Sequence, residues 1–355
     1  MKILIINPGS TSTKFAVYQS GKIQLGKTLR HSDIELSKYP TVAEQYHFRS
    51  HLINHCLNEN KQNINTFDGI IGRGGLLKPI AGGVYKINHR MLQDLNGSLY
   101  GEHASNLGAI LAHALSLKAQ CPAFIADPVV VDEMGKLAKI SGIKDIERKS
   151  IFHALNQKAV ARKIALKLNK SYEDINLIIA HLGGGISVGA HQQGLVIDVN
   201  NALDGDGPFS PERAGSLPMS NLVDLCFSGK FSIQEIKQKL KGKGGLVSYL
   251  NTNDASEVQK KVETGDSYAT LIYQAMAYQV SKSIGEMAVA LKGQVDAIIL
   301  TGGIAFDQNY FIPWIKDYTS FIAPIYIFPG EDELQALHDI CIRALNGELE
   351  IKNYH

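Results

Sequence analysis

Two similar patterns of hydrophobic and polar residues, one in each half of the chain, organise this sequence. Residues 177–200 run from an apolar segment through the consecutive glycines 183–185 to two further apolar segments. Residues 1–23 repeat the pattern, with an apolar run, a turn of small residues at 7–12 and a second run. An apolar run, a glycine-rich turn and another run together predict a β-hairpin.

The repeat predicts a duplicated domain. Gly9 and Gly183 are 174 residues apart in a chain of 355 residues, which is close to half its length. Two hairpins, predicted over residues 2–18 and 176–191, therefore indicate that the two halves share one architecture. Chance similarity between two hairpins is the alternative interpretation.

The rest of the pattern predicts an α/β fold in which a mixed β-sheet flanked by helices occurs twice. Apolar residues at helical spacing predict helices at 41–60, 107–117, 154–168, 222–240, 266–291 and 333–345. Short apolar runs predict further strands at 67–73, 122–127, 296–300 and 323–328. We expect a first domain over 1–150, joined by the C-terminal helix in 331–355, a second over 151–330, and a cleft between them.

Composition narrows the class of protein. The chain is 45% hydrophobic and 20% charged, as ordinary globular proteins are. A net charge of +2 gives no electrostatic case for nucleic acid or membrane partners. The four cysteines form no CxxC pair, which argues against a zinc site or a disulfide framework. With no basic leader and no membrane-length apolar run, we expect a cytoplasmic protein.

The glycine turns predict a site for polyphosphate. Glycine lets backbone N–H groups approach an anion closely. A third small-residue segment, Gly302, Gly303 and Ile304, follows a predicted strand, where open α/β sheets bind ligands. The chain has neither a GxxxxGK[ST] loop nor a GxGxxG strand–helix motif, which argues against a P-loop NTPase and a dinucleotide fold.

Five motifs follow one another along the chain: NPGSTSTKF, FHALNQKAVAR, HLGGGISVGAHQQGLVIDV, PERAGS and LTGGI. In this order they resemble the acetate kinase family of the actin/hexokinase-like superfamily and, within it, the branch that acts on butyrate. The resemblance extends over essentially the whole chain. It implies two actin/ribonuclease H-like domains and an ATP- and Mg²⁺-dependent kinase that interconverts a short-chain fatty acid and its acyl phosphate. It also implies a homodimer or larger homo-oligomer.

The resemblance implies catalytic roles for four residues. Arg73 and Arg213 would bind the substrate carboxylate and the transferred phosphoryl group. His153 would hydrogen-bond to that group, and Asp127 would order the magnesium ion and the arginines.

The resemblance also implies a nucleotide and metal site. Residues at the phosphates and adenosine would be Asn7, Ser10, Ser12, Lys14, His181, Gly183, Gly184, Gly185, Gly302, Gly303 and Ile304. Asn7 and an acidic residue near the start of the last helix would support the metal. Glu331, Asp332 and Glu333 all fit that position, and Glu333 is taken as the metal residue. We expect Gly302→Val to weaken ATP binding and to leave the fold intact.

Elementary chemistry agrees with these roles. A carboxylate, with a pKa of roughly 4 to 5, is already an anion at neutral pH and needs no general base. Its repulsion from the γ-phosphate must be relieved, so positioning and positive charge are the main catalytic needs. The planar fork of arginine suits both carboxylate and phosphate oxygens.

Each of these residues also has an ordinary structural interpretation. Most arginines form surface ion pairs, although glycines near Arg73 and Arg213 argue against a solvated helix. Asp127 precedes a proline and fits a turn. Three histidines fit interior packing equally well: His103, His153 and His181.

Two departures from acetate kinases bear on the substrate. Gly184 stands where acetate kinases usually have asparagine. Gly74 and Gly75 stand near a larger aliphatic residue that lines the methyl pocket in acetate kinases. Loss of that bulk predicts a larger acyl pocket and a four-carbon acid, butanoate, with isobutyrate, propionate or acetate as alternatives.

Two other functions remain open at this point. A sugar kinase of the same superfamily would need a carboxylate base, for which Asp127 or Asp198 are candidates. A non-catalytic, actin-like ATP-binding protein would have nucleotide loops without a need for two arginines and a histidine.

Overall fold

A computed structural model of the protein describes residues 1–203 and 205–355. The chain divides into two compact units. The first consists of Met1–Val131 and Asp332–His355, and the second of Asp132–Glu331.

The first boundary follows Val131, whereas the sequence places it at residue 150. Side-chain contacts give the physical reason, because residues 132–150 are bonded to the second unit. Lys158 Nζ lies 2.9 Å from a carboxylate oxygen of Glu133, and both side chains are buried. Arg148 Nη1 lies 3.0 Å from Asp198 Oδ1.

The strands and helices are as follows. The strands are β1 (Lys2–Pro8), β2 (Ser12–Gln19), β3 (Lys22–Arg30), β4 (Gly69–Arg73), β5 (Val84–Lys86), β6 (Ala123–Ala126), β7 (Asn176–Leu182), β8 (Ile186–Gln192), β9 (Leu195–Val199), β10 (Ala297–Gly302), β11 (Ile325–Pro329) and β12 (Ile351–Asn353). The α-helices are α1 (Asp33–Leu36), α2 (Tyr46–Glu59), α3 (His89–Asn96), α4 (Asn106–Ala119), α5 (Lys136–Lys139), α6 (Ala154–Lys167), α7 (Met219–Phe227), α8 (Ile233–Leu240), α9 (Gly245–Leu250), α10 (Ala255–Glu263), α11 (Ser267–Ala290), α12 (Phe311–Thr319) and α13 (Glu333–Leu345).

The two sheets share a five-stranded topology, to which β5 and β12 are added in the first sheet. In the first unit the strand order is β12-β5-β6-β4-β1-β2-β3, and in the second it is β11-β10-β7-β8-β9. In each sheet a three-stranded antiparallel meander, β1-β2-β3 or β7-β8-β9, is extended by parallel strands beside its first strand. A β-bulge interrupts the second hairpin at matching places, Val17/Tyr18 and Ala190/His191. The predicted hairpins and the mixed, helix-flanked sheets are confirmed.

Helices cover both faces of each sheet. In the first unit Gly69 faces Leu345 of α13 and Gly72 faces Gly108 of α4. Strand residues three apart point to opposite faces, so α13 and α4 pack on opposite sides of the sheet.

In the second unit, alternate residues of β7 divide between two cores. Ile178 and Ala180 belong to a core that includes Met276 and Val280 of α11. Leu177 and Ile179 belong to a second core with residues of α6. The sheet therefore lies between α11 and α6. No helix in the described part of the chain is long and apolar enough to cross a membrane.

The predicted helix over 222–240 is wrong. The chain forms α7 and α8 there, separated by a turn in which Gly229 has a φ of +72°. Ser232 caps α8 in a capping box with Glu235, so the second helix begins with its own start signal. The predicted helix over 41–60 begins as a short 3-10 helix, Ala43–Gln45, before α2.

Candidate active-site elements

Three parallel strands of the first unit end at one edge of their sheet. In the ladder Ile6 pairs with Gly72, and Arg73 pairs with Ala126. The next residues bring Asn7, Arg73 and Asp127 to this edge. Ligands bind at the carboxyl ends of strands in open α/β sheets, so the edge is a candidate site.

Glu333, the first residue of α13, connects two of these side chains. Asn7 Nδ2 donates to Glu333 Oε2 at 2.6 Å, and Arg73 Nη1 lies 3.3 Å from the same oxygen. Glu333 is 11% exposed and Arg73 is 25% exposed, so the group is partly sheltered and still reachable. Of the three acidic candidates, Glu333 is bonded to Asn7.

Asp127 forms hydrogen bonds with Gly83 at this edge of the sheet. Its Oδ1 accepts from the Gly83 N–H at 2.7 Å, and its own N–H donates to the Gly83 carbonyl at 3.1 Å. Its φ of +38° is uncommon for a residue with a side chain. The carboxylate thus helps to hold the turn after β6, whatever its further role.

The tip of the first hairpin is supported by Arg49 of α2. Arg49 is fully buried, and its guanidinium donates to the carbonyls of Gly9 at 2.8 Å, Ser10 at 3.0 Å and Ser12 at 3.0 Å. In a planar trans peptide the following N–H points opposite to the carbonyl. The N–H groups of Ser10 and Thr11 therefore point away from Arg49, toward the exposed side of the tip. Outward N–H groups on a loop can bind an anion.

A buried histidine completes the support of this tip. Thr13 Oγ1 lies 3.1 Å from Arg49 Nη1 and 2.8 Å from His31 Nε2. Burial, and then the charge of Arg49, lower the pKa of His31 to about 4, so the ring is neutral at pH 7. Ser12 is half-buried, and Lys14, opposite Asn7 in the ladder, is exposed.

Arg49 was not predicted from the sequence. It lies in an amphipathic helix, where an arginine is usually solvated, and the carbonyls it contacts are 37 to 40 residues away. Its position on the helix is the one indication that Arg49 is buried. Ile53 and Leu57, at i+4 and i+8 on the same face, are also buried.

We expect Arg49→Met to lower the free energy of unfolding by about 3 kcal/mol or more, because each buried carbonyl left without a donor costs about 1–3 kcal/mol. Urea denaturation followed by circular dichroism measures this loss. Arg343→Met is the matched control, since Arg343 forms an exposed pair with Glu348 at 3.5 Å. Equal stability of the two variants would contradict the supporting role of Arg49.

The second unit has a corresponding edge. β7, β10 and β11 are parallel, with His181 beside Thr301 and Gly302 beside Pro329. The predicted loop of Gly183, Gly184 and Gly185 follows β7 at this edge. His181 Nε2 lies 2.8 Å from Glu331 Oε1, so Glu331 is engaged in the second unit.

His153 lies directly before α6 and contacts Ser187 and His181. Its Nδ1 lies 2.9 Å from Ser187 Oγ on β8. Its ring stacks on that of His181, with centroids 3.7 Å apart and an interplanar angle of 14°. His181 is itself bonded through Nδ1 to Asn156 Oδ1 at 2.8 Å. His181 thus sets the plane of the His153 ring.

Arg213 packs against the glycine loop. Its Nη1 donates to the carbonyl of Ala202, and a Cβ added to Gly185 would collide with its guanidinium. Ser210 Oγ donates to the Gly184 carbonyl at 2.6 Å. The loop that carries Arg213 is therefore attached to the tip of the second hairpin. His103, in the first unit, bonds locally to Ser105 at 2.9 Å.

Gly302 and Ile304 contribute to the fold of the second unit. Gly302 has a φ of +91°, and an added Cβ would lie 2.4 Å from the Leu182 carbonyl oxygen. The expectation that Gly302→Val leaves the fold intact is wrong, because valine would strain the backbone and push β7 away from β10. Ile304 is only 5% exposed and packs in the core. Gly303 is exposed, and a Cβ added there would meet nothing within 4 Å.

Gly303→Val is therefore the better test of the predicted nucleotide site. We expect it to leave the fold intact and to weaken ATP binding about tenfold, since an inserted side chain costs about 1–3 kcal/mol where a ligand must pack. Isothermal titration calorimetry measures the affinity. Gly142→Val is the control, because Gly142 also has open space. Equal ATP affinity for the two folded variants would contradict a site at Gly303.

The glycines after Arg73 do not leave empty space. A Cβ added to Gly74 would lie 2.5 Å from Pro128 Cβ, and one added to Gly75 would lie 2.6 Å from Asn106 Cα. Their lack of side chains allows close backbone packing. The inference that they enlarge an acyl pocket is therefore not supported, since neighbouring residues fill the space.

The residues at the first edge fit a magnesium ion held together with phosphate. No group of three or more His, Cys, Asp or Glu side chains in the described ranges could hold a metal ion. Mg²⁺ is usually bound by one or two carboxylates plus substrate phosphates, so a large cluster is not required. Glu333 offers a partly buried carboxylate beside the amide of Asn7.

Known proteins share this fold. The acetate kinase of Porphyromonas gingivalis superposes with a TM-score of 0.78 at 17% identity, over 96% of this chain and 99% of that one. A propionate kinase from Francisella tularensis gives a TM-score of 0.74 at 20% identity, over 95% and 98% of the two chains. These likenesses define the class of fold, the duplicated α/β fold of these two kinases.

Sequence comparison adds the family. The model of the acetokinase family matches residues 136–310. Butyrate kinase 2 of Clostridium acetobutylicum is 54% identical over 353 residues, which is 99% of each chain. The chain belongs to the acetokinase family, and the resemblance seen in its five motifs is confirmed.

Proposed function

We propose that the protein is a carboxylate kinase that transfers the γ-phosphoryl group of ATP to a short-chain fatty acid. The reaction is butanoate + ATP ⇌ butanoyl phosphate + ADP. The observation that carries the proposal is the 54% identity, over 99% of both chains, to a protein named butyrate kinase. Because this identity extends over 99% of both chains, we propose that the protein catalyses the complete reaction.

In this reaction a carboxylate oxygen of the acid bonds to the γ-phosphorus, and the bond from that phosphorus to the β–γ bridging oxygen breaks. ADP leaves with the electron pair, and no proton has to be removed from the nucleophile. The chemistry therefore needs positioning and positive charge. Mg²⁺, when bound at Asn7 and Glu333, would supply charge neutralisation at the phosphates.

Residues at the strand ends of each sheet are assigned separate roles in phosphoryl transfer. We assign Arg73 and Arg213 to the carboxylate and the transferred group, and His153 to a hydrogen bond with that group. Phosphates would bind the outward N–H groups at Ser10 and Thr11 and the loop around Gly184. Residues 1–131 with the C-terminal helix would form the actin-like ATPase domain, and residues 132–331 the actin-like nucleotide-binding domain.

A sugar kinase is the second candidate function. The positions of its two possible catalytic bases, Asp127 and Asp198, argue against it. Asp198 lies on β9, the strand at the far side of the sheet from β10 and β11, and pairs with Arg148 at 3.0 Å. Asp127 Oδ1 already accepts from Gly83. Both carboxylates thus have structural bonds, and a carboxylate nucleophile needs no base.

We further propose a cytoplasmic homodimer or larger homo-oligomer without nucleic acid or membrane partners. The absence of strong net charge supports the last two points. Size-exclusion chromatography with light scattering measures the oligomeric state.

The function is tested by trapping the product. Hydroxylamine converts acyl phosphates to hydroxamates, so ATP, Mg²⁺ and acids from acetate to hexanoate are incubated with the protein and hydroxylamine. We expect most hydroxamate from butanoate, and no ADP formation with glucose in place of the acid. Phosphorylation of glucose without hydroxamate would favour a sugar kinase. ATP-dependent polymerisation without hydroxamate would favour an actin-like protein.

A further inference from the structure

A line of hydrogen bonds runs through the interior of the second unit and ends at His153. Tyr172 Oη lies 2.7 Å from His191 Nδ1, and His191 Nε2 lies 2.9 Å from Gln157 Oε1. Gln157 Nε2 lies 2.8 Å from Ser187 Oγ, which lies 2.9 Å from His153 Nδ1. The four residues behind His153 are buried, and three of them are fully inaccessible to solvent.

The direction of these bonds follows from one backbone group. The Gln157 amide also faces the carbonyl oxygen of Ser187, at 3.1 Å from Nε2. A carbonyl oxygen can only accept, so the atom facing it must be the amide nitrogen. The amide oxygen therefore faces His191.

The next bond is determined in turn. Because Gln157 Oε1 only accepts, His191 Nε2 must carry a hydrogen. Burial, and then the charges of Lys158 and Arg162, hold the pKa of His191 well below its usual value, so the ring is neutral. A neutral imidazole has one hydrogen, and its Nδ1 therefore accepts from the Tyr172 hydroxyl.

The same reasoning reaches His153 from the other side of Gln157. Ser187 Oγ accepts a hydrogen from the Gln157 amide, and its own hydroxyl hydrogen is available to donate to His153 Nδ1. A hydrogen on Nδ1 would compete with it for the same 2.9 Å contact. A neutral His153 that accepts at Nδ1 carries its hydrogen on Nε2.

We propose that Tyr172, His191, Gln157 and Ser187 form a one-way relay that fixes His153 as its Nε2–H tautomer. This inference rests on the proposed function, in which His153 donates to the transferred phosphoryl group. The stacked ring of His181 sets the plane of the imidazole, and the relay sets which nitrogen donates. Ser187 and Gln157 are thus positioning residues, since they act through His153.

Nitrogen NMR of protein labelled with ¹⁵N-histidine reads the tautomer directly and needs no substrate. Comparison with the His153→Gln spectrum assigns the resonances of His153. We expect a protonated Nε2 and an unprotonated Nδ1 in the wild type. We expect Ser187→Ala to give a mixture of tautomers at His153. A protonated Nδ1 in the wild type would overturn the relay, and this reading does not depend on whether Ser187→Ala folds.

Kinetics supplies the second reading. We expect Ser187→Ala to lower kcat for butanoate about tenfold, as for one lost hydrogen bond, with the KM for ATP changed less than about twofold. Ser187→Thr keeps the hydroxyl and should restore much of the loss. Ser281→Ala is the control, because Ser281 is also buried and donates at 2.8 Å to Ala277, outside the relay. A folded Ser187→Ala protein with unchanged tautomer and kcat would overturn the proposal. Absence of acyl phosphate formation by the wild type would instead refute the proposed function.

Discussion

Arg73→Leu and Arg213→Leu are each expected to reduce turnover with butanoate and ATP by about 10²–10³-fold, the usual cost of losing one preorganised donor to developing charge. The carboxylate and the phosphate are both anions, so each lost guanidinium leaves a repulsion unrelieved. Arg→Lys should restore only part of the rate, because an ammonium group cannot form the bidentate fork. Steady-state kinetics of acyl hydroxamate formation measures the effect.

The structure provides a control variant for this test and shows that the folding of Arg73→Leu must be checked. Arg343→Leu removes an exposed arginine of α13 and should leave the rate unchanged. Arg73 also pairs with Glu333, so circular dichroism must show that Arg73→Leu is folded. Near-normal turnover of either folded leucine variant would remove that arginine from the mechanism.

His153→Ala is expected to have the next largest effect, a loss of about 10²-fold in kcat with a much smaller change in ATP affinity. A hydrogen bond that strengthens in the transition state contributes more to turnover than to ground-state binding. Steady-state kinetics and calorimetric titration with ATP give the two quantities. His55→Ala is the control, because His55 is exposed and contacts Glu59, at 3.2 Å, and the ring of His51, both on its own helix α2. Equal losses in kcat and ATP affinity would indicate a general binding role instead.

The elements predicted correctly depend on short-range pattern. Both hairpins combine an apolar run, a turn of small residues and a second run within about 20 residues, and the structure has them where expected. The last helix, α13, has the predicted bounds. By contrast, β5 and β12 have three residues each and pair with strands that are distant in the sequence, so no local pattern predicts them.

Other differences come from packing that a pattern of residue types does not express. The apolar spacing of residues 222–240 continues through the turn, and only Gly229 and the capping box at Ser232 signal the break. The sequence alone indicates that Gly74 and Gly75 enlarge a pocket, whereas in the structure they allow close packing against Pro128 and Asn106.

The candidate site also combines residues that the sequence predicts with residues that it does not predict. The first motif and the apolar run over 67–73 identified the strand ends at Asn7 and Arg73, which the ladder between β1 and β4 brings side by side. They did not identify the residues that orient the site from behind. Arg49 and Gln157 act through partners 30 to 40 residues away in the chain. Such contacts become visible only once the sheets are assembled.

The central claim is that a carboxylate oxygen attacks the γ-phosphorus of ATP, and ³¹P NMR of the wild-type protein with ¹⁸O-carboxyl-labelled butanoate, ATP and Mg²⁺ tests it most directly. We predict an acyl phosphate resonance that grows in step with ADP and shows the isotope shift of one bridging ¹⁸O. ADP formed together with inorganic phosphate, at a rate independent of butanoate and without any acyl phosphate, would contradict the account.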